Sequence, residues 1–142
     1  MTRGDLLRPG TVFHYPYLWR WQATRGETEG RKDRPVCVLA AVVGPADGLT
    51  HLVLLAISSQ PPRAGQQALE IPEMECRRAG LGEWTRGWVT VDEYNHDIAE
   101  HSYYLDPDQE FLGRFSKSFT QRLAIAAAPL FRRRAARVDR RD

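Results

Sequence analysis

Two long apolar segments dominate the pattern of hydrophobic and polar positions in the first half of the chain. Residues 35–43 and residues 51–57 have apolar side chains at both odd and even positions, which is typical of strands covered on both faces. Residues 44–48 between them have the sequence GPADG, which favours a turn. Because this connection is short, the sequence predicts that the two strands pair as an antiparallel hairpin.

Shorter strands and loops are predicted on either side of this hairpin. Residues 10–17, 68–72 and 87–91 have the composition of short strands. The polar residues 22–33 and 59–68 are predicted to form loops.

One helix is predicted near the end of the sequence. Ser116 or Ser118 would cap its start, and Pro129 would bend or end it. Its buried face would consist of Phe119, Leu123, Ala126, Ala127 and Leu130. Short strands followed by one late helix predict a mainly β fold, a small antiparallel barrel with a C-terminal helix.

Two polar or aromatic stretches have more than one interpretation. Aromatic side chains occur at every second position of residues 15–21, which favours the inner face of a strand over a solvent-facing row that stacks bases. Residues 90–97, TVDEYNHD, favour a turn at a strand end. The alternatives there are general acid–base work by the acidic residues with His96, or a weak metal site of His96 with His101. The spacing of the two histidines fits no standard metal motif, so no metal is expected.

The composition limits the possible classes of protein. With 142 residues, 42% of them hydrophobic, the chain fits a single globular domain spanning residues 1–142. No apolar run approaches the roughly 18–20 residues that span a bilayer, and residues 1–10 lack the apolar core of a signal peptide. We therefore expect a cytoplasmic protein that contacts no membrane. Cys37 and Cys76 form no CxxC motif, so neither a disulfide nor a zinc site is expected.

The basic residues are unevenly distributed, although the net charge is only +2. Six arginines lie within residues 132–142, at the end of an expected basic helical tail that covers about 116–142. Two further clusters contain Arg31, Lys32 and Arg34, and Arg77 with Arg78. Such clusters indicate a polyanionic partner, and the alternative for the tail is a solvated end.

An arginine and a serine stand at the junctions of the predicted hairpin with its loops. Arg34 immediately precedes Pro35, which forces an extended backbone at the start of the first strand. Ser58 follows the second apolar strand. Arginine binds phosphate through a bidentate fork and keeps its charge, and a neighbouring hydroxyl can orient an oxygen. The pair favours work on a phosphodiester, while the alternatives are a surface arginine and a serine that only terminates the strand.

The order of these motifs resembles that of a known family. The segments GRKDRPVCVL, AISSQPP, ALEIP and WVTVDEYN, in this order, resemble the PemK-like branch of the MazF/PemK toxins of bacterial toxin–antitoxin systems. The resemblance covers roughly residues 8–95 and leaves the C-terminal third outside it.

The resemblance implies a homodimer of SH3-like barrels that cleaves single-stranded RNA without a metal or other cofactor. The RNA 2′-OH would attack the adjacent phosphate, and an antitoxin would neutralise the enzyme and provide its only link to DNA. The family's catalytic arginine corresponds to Arg34 and its hydroxyl residue, often threonine, to Ser58. Asp92 corresponds to an aspartate of some PemK-type members, but Thr90 stands where those members have arginine, and Arg86 is the candidate replacement. The expected RNA-binding residues are Arg31, Lys32, Ser59, Arg77, Arg78 and Arg86.

Two alternatives use the same fold without this chemistry. One is a non-enzymatic toxin similar to CcdB, although that type grips its target with an apolar C-terminal end and this sequence has an arginine-rich one. The other is an inactive remnant that only binds nucleic acid. The sequence specifies neither the RNA sequence cleaved nor the antitoxin.

Overall fold

The computed structural model describes residues 7–30, 32–82, 84–106, 108–133 and 136–140. Within them the chain forms eight strands and three α-helices. The strands are β1 (Thr11–Tyr15), β2 (Arg34–Val43), β3 (Thr50–Ser58), β4 (Ala68–Ile71), β5 (Gly87–Thr90), β6 (Tyr94–Ile98), β7 (Gly113–Arg114) and β8 (Arg137–Asp139). The helices are α1 (Arg20–Thr24), α2 (Glu73–Arg78) and α3 (Lys117–Ala127), and a 3-10 turn at Ala128–Arg132 follows α3.

The strands form one strongly curled sheet, about half of a barrel. Its order is β4-β5-β3-β2-β1-β7, and β6 pairs with the first half of β3 and with β8. All pairs are antiparallel except β6 with β8. The predicted class, a small mainly β antiparallel barrel with a C-terminal helix, is confirmed.

The central hairpin of β2 and β3 separates two clusters of buried side chains, as its doubly apolar pattern predicted. Val36 and Val38 pack in one cluster, and Cys37 and Leu39 pack in the other. The second cluster is covered by α3 through the buried side chains of Phe119, Leu123 and Ala127. The middle of the hairpin is therefore buried on both faces, whereas Val42 and Val43 at its turn end are exposed, contrary to the doubly apolar pattern.

The predicted start and end of the late helix are also close to the observed ones. The Ser116 hydroxyl accepts a hydrogen bond from the Phe119 amide, so Ser116 caps α3. Pro129 lies in the 3-10 turn that follows α3. Among the described residues, no helix has both the length and the apolar character that a membrane span requires.

The polar segment 90–97 is a turn only in part: residues 91–93 connect β5 to β6, but residues 94–97 belong to the buried strand β6. Each polar side chain there has a distant partner. Asn95 accepts a hydrogen bond from the Leu18 amide at 2.9 Å and donates to the Leu18 carbonyl at 2.7 Å. Asp97 accepts one from the Tyr15 hydroxyl at 2.7 Å. Such partners remove the cost of burying polar groups.

The expected helical tail, about 116–142, is helical at its start and contains a strand further on. Residues Arg137–Asp139 form β8 beside β6, and Arg140 is buried against the Tyr104 ring, 4.2 Å from guanidinium carbon to ring centre. The Arg140 guanidinium also donates to the Pro16 carbonyl at 2.6 Å. At least part of the arginine-rich segment therefore stabilises the fold.

A polar network, here called the β6–β8 seam, joins these two strands to β3. It consists of His51, His96, Arg137 and Asp139. Asp139 Oδ1 lies 2.7 Å from both His96 Nδ1 and Arg137 Nε, and His96 Nε2 lies 2.9 Å from His51 Nδ1. The described residues contain no group of three or more His, Cys, Asp or Glu side chains arranged to hold a metal ion.

Candidate functional site

A groove of about 660 Å³ opens where β2 begins and β3 ends. All four tryptophans of the chain line it: Trp19, Trp21, Trp84 and Trp88. We call this surface, together with Arg34 and Ser58 on its wall, the tryptophan groove. An aromatic lining with cations beside it suits a ligand that has both flat rings and negative charge.

Strand register brings Arg34 and Ser58 together at this groove. Val36 on β2 pairs with Ala56 on β3. Extended by two residues on each strand, the same antiparallel register would place Arg34 across from Ser58. Both residues that were predicted as a site line one groove.

The Arg34 guanidinium is held by an aromatic ring. Its central carbon lies 5.0 Å from the centre of the Trp19 ring, and the side chain is half-buried. None of the ion pairs among the described residues involves Arg34. Burial lowers the pKa of Arg34, but arginine starts so high that it remains a cation at neutral pH. Among the described residues, the groove therefore contains a positive charge that is held by an aromatic ring and forms no ion pair with a carboxylate.

The hydroxyls of Ser58 and Ser59 also belong to the groove. Ser58 Oγ accepts a hydrogen bond from the Gln60 amide at 3.0 Å, which is the strand-terminating turn considered from the sequence. Because the hydroxyl acts as the acceptor in this bond, its own hydrogen is left to donate elsewhere. A structural role and a ligand-binding role for Ser58 are thus compatible.

The other predicted cations divide into two groups. Lys32 lines the groove, and Arg86 stacks on the groove residue Trp88 at 5.0 Å while it pairs with Glu70 at 3.0 Å. Arg63 lines the groove as well, although no sequence pattern singles it out.

Arg77 and Arg78 are not among the groove-lining residues, and Arg31 falls outside the described ones. Both described arginines lie on α2 close to acidic neighbours. Arg77 bonds to Glu73 at 3.0 Å, and Arg78 Nε lies 3.9 Å from Glu75. Their charges are compensated by residues of their own helix.

The predicted carboxylate Asp92 does not line the groove. Its Oδ2 accepts a hydrogen bond from the Gln67 amide at 3.0 Å and so fixes the segment that leads into β4. Thr90, which stands where some PemK-type members have arginine, does line the groove and is buried. Asp33 is the one carboxylate residue among the described groove-lining residues.

A buried carboxylate lies behind the groove wall. Glu93 accepts hydrogen bonds from the Arg20 amide at 2.8 Å and from the Tyr17 hydroxyl at 3.2 Å. Burial raises the pKa of Glu93, and the pKa of the Tyr17 hydroxyl also lies well above its ordinary value because of burial and the neighbouring Glu93. This pair supports the wall, since Tyr17 lines the groove.

The alternating aromatic row divides between core and groove. The side chains of Tyr15 and Tyr17 are 1% exposed, as the strand interpretation predicted. Trp19 and Trp21 are half-buried and line the groove, because α1 begins at Arg20 and breaks the alternation. A composition signal was present, since a chain with only four tryptophans places two of them in this short segment.

No family model matches the chain, and neither a curated protein nor a solved structure matches it.

Proposed function

We propose that this protein is a toxin endoribonuclease that cleaves single-stranded RNA in the tryptophan groove. The observation that supports this best is the combination of Arg34 and Ser58, from facing ends of β2 and β3, with four tryptophans. Unpaired bases stack on aromatic rings, and a charged guanidinium binds the phosphate between them. A duplex keeps its bases stacked inside, so the aromatic lining favours a single strand.

The proposed reaction is an internal transesterification. The RNA 2′-oxygen attacks the adjacent phosphorus and gives its proton to a base, and the bond from phosphorus to the 5′-oxygen breaks. The leaving 5′-oxygen takes up a proton from the Arg34 guanidinium, which regains one from water, so the number of protons balances. The products are a 2′,3′-cyclic phosphate and a 5′-OH end. Arg34 would stabilise the negative charge that develops on the phosphorane oxygens, and the Ser58 hydroxyl would donate to one of them.

The proton of the 2′-OH needs an acceptor, and the groove offers Asp33 for this role. Asp33 is exposed, precedes Arg34 directly and lines the groove. Asp92, which the family resemblance suggested as base, is bonded to the Gln67 amide away from the groove lining. In this proposal Asp92 therefore holds the chain before β4, and Asp33 accepts the proton.

The same proposal includes the partners that the resemblance implies. These are a second copy of the chain in a homodimer, a cognate antitoxin and, through the antitoxin alone, DNA, all in the cytoplasm. An acidic antitoxin segment that covered Lys32, Arg34 and Arg63 would exclude RNA by occupying the same cations.

The deciding experiment compares two oligonucleotides, one all-ribose and one with a single deoxyribose on the 5′ side of the cut, each with and without EDTA. We expect the all-ribose strand to be cut in both conditions and the deoxy strand to remain intact although it binds equally well. Cutting at the deoxy position would contradict transesterification, and loss of cutting in EDTA would indicate a metal-activated water.

A second candidate function is a nucleic-acid-binding module without chemistry, favoured by Thr90, which stands in the groove where some PemK-type members have arginine. In the same experiment such a module would retain both strands and cut neither. A non-enzymatic toxin that acts on a target other than RNA would neither retain nor cut the two strands.

A further inference from the structure

The guanidinium of Arg34 rests on a ring that is itself fixed from several sides. The Tyr17 and Trp19 rings meet edge to face, with centres 5.0 Å apart. The Trp19 amide donates to the Gln22 side chain at 3.0 Å. The Trp19 carbonyl accepts hydrogen bonds from the amides of Gln22 and Ala23 in α1. The Tyr17 hydroxyl is in turn anchored on buried Glu93 at 3.2 Å. A continuous set of contacts thus runs from Glu93 through Tyr17 and Trp19 to Arg34.

Stacking and ion pairing differ in whether they leave the N–H donors and the positive charge of an arginine available to a ligand. A carboxylate would occupy the N–H fork of Arg34 in its plane and would compensate its charge. An indole below the guanidinium contacts its face, so the N–H donors at the edge stay available for phosphate. The orientation of the side chain is fixed in either case, but only stacking leaves the positive charge uncompensated.

We propose that Trp19 is a positioning residue that holds the Arg34 guanidinium flat on its ring and directs the N–H edge at the scissile phosphate. This inference rests on the proposed function, since the phosphate it serves is that of the RNA substrate. Trp19 itself makes no bond to the reacting atoms. Its effect should therefore appear in the turnover step, where the developing charge is stabilised, and less in substrate binding.

The test uses three variants, Trp19→Leu, Trp19→Phe and Trp21→Leu. Trp21 lines the same groove but stacks with Arg25, at 5.2 Å, so it is a matched control for lost stacking area. We expect Trp19→Leu to lower kcat about 10-fold, the scale of one desolvated cation–π contact. Trp19→Phe should retain most of the wild-type kcat. Trp21→Leu should raise KM and should change kcat less than Trp19→Leu does.

A double variant shows whether Trp19 acts through Arg34. In an Arg34→Ala background, Trp19→Leu should lower kcat no further, because the group that it positions is already absent. Independent losses in the double variant, or a Trp19→Leu effect confined to KM, would overturn the proposal and make Trp19 a base-stacking surface only.

A readout that needs no cleavage separates this inference from the proposed function. The Nε–H resonance of Arg34 in an NMR spectrum should be shifted by the ring current of Trp19. It should lose that shift in Trp19→Leu and keep part of it in Trp19→Phe. Titration with inorganic phosphate should perturb this resonance more in the wild type than in Trp19→Leu. If the wild type binds phosphate this way but never cuts RNA, the proposed nuclease fails and the positioning role stands. Equal phosphate responses in the three proteins would overturn the positioning role.

Discussion

Two arginines in different regions of the sheet have opposite surroundings. In the β6–β8 seam, Arg137 Nε bonds to Asp139 at 2.7 Å, and Asp139 also bonds to His96. In the tryptophan groove, Arg34 stacks on Trp19, and no ion pair among the described residues includes it. Arg137 therefore helps to hold β8 in the sheet, whereas Arg34 keeps hydrogen-bond donors that are available to a ligand.

Under the proposed function, this difference would separate residues that stabilise the fold from residues that bind the ligand. A charge with an internal partner contributes to the folded state but has little left to offer a ligand. A half-buried charge without a carboxylate costs desolvation energy that a bound anion can recover. The contrast predicts that substitutions in the groove affect activity and substitutions in the seam affect stability.

The largest effect should come from Arg34→Ala. We expect RNA cleavage to fall at least 100-fold, up to about 1000-fold, because one preorganised donor to the transition state is lost. The free energy of unfolding should stay the same or rise slightly. The measurement is the initial cleavage rate beside a denaturant titration.

Arg137→Ala is the matched control in the seam. It should keep the cleavage rate and lose roughly 1 kcal/mol or less of stability, the usual scale of an exposed ion pair. If Arg34→Ala retained activity within a few-fold, or lost it only by unfolding, the distinction between the two regions would be wrong.

The next effect concerns the proton acceptor. Asp33→Asn should lower kcat about 100-fold, the lower end of what a general base contributes. Asp92→Asn should have a smaller effect, because Asp92 is bonded to the Gln67 amide and is not among the groove-lining residues. The reverse ranking of the two variants would return the role of base to Asp92.

The smallest effect is a pH dependence of stability that originates in the seam. Burial lowers the pKa of His96 below its ordinary value, in spite of Asp139. Below about pH 6.5 the unfolded chain takes up a proton at this histidine and the folded chain does not. The stability contributed by His96 is therefore complete above about pH 6.5 and is lost as the pH falls toward the folded-state pKa. The pKa of Asp139 is also lowered, mainly through hydrogen bonds from Arg137 and His96 that outweigh its burial, so this carboxylate stays ionised across that range.

The measurement is the thermal unfolding midpoint at pH 7.5 and at pH 5.5. The wild type should unfold at a lower temperature at pH 5.5, and His96→Gln should show a smaller difference between the two values. His14→Gln, at an exposed position of β1, is the control and should keep the wild-type difference. An identical pH response in His96→Gln would show that the dependence arises elsewhere.

The sequence predicted the parts of the fold that depend on local pattern. The β2–β3 hairpin followed from apolar runs on either side of a turn, and the meeting of Arg34 with Ser58 followed from that hairpin. Strand β6 was missed because its polar side chains are satisfied by partners far away in sequence, such as Tyr15 for Asp97, 82 positions apart. No local pattern encodes such a partner.

The arginine-rich end was misjudged for the same reason. The residues around β8 are rich in arginine and look solvated, but β8 pairs with β6 and Arg140 is buried. Deleting residues 132–142 to test salt-dependent RNA binding would therefore also remove a strand. Trp19 and Trp21 were assigned to a strand because the spacing of two residues continues into α1. In a helix, residues two positions apart do not lie on one face, so the spacing no longer indicates a buried row.

The pairing of β1 with β7, and of β6 with β8, has a consequence for how the protein is made. A ribosome delivers residues 11–98 while residues 113–114 and 137–139 are still to be added, so β1 and β6 each wait with one unpaired edge. The groove-forming ends of β2 and β3 can already pair in this interval, since their hairpin is local. A nascent chain would thus pair the strands that carry Arg34 and Ser58 before its sheet is closed, and the edges of β1 and β6 would stay open to pairing with other chains until β7 and β8 are made.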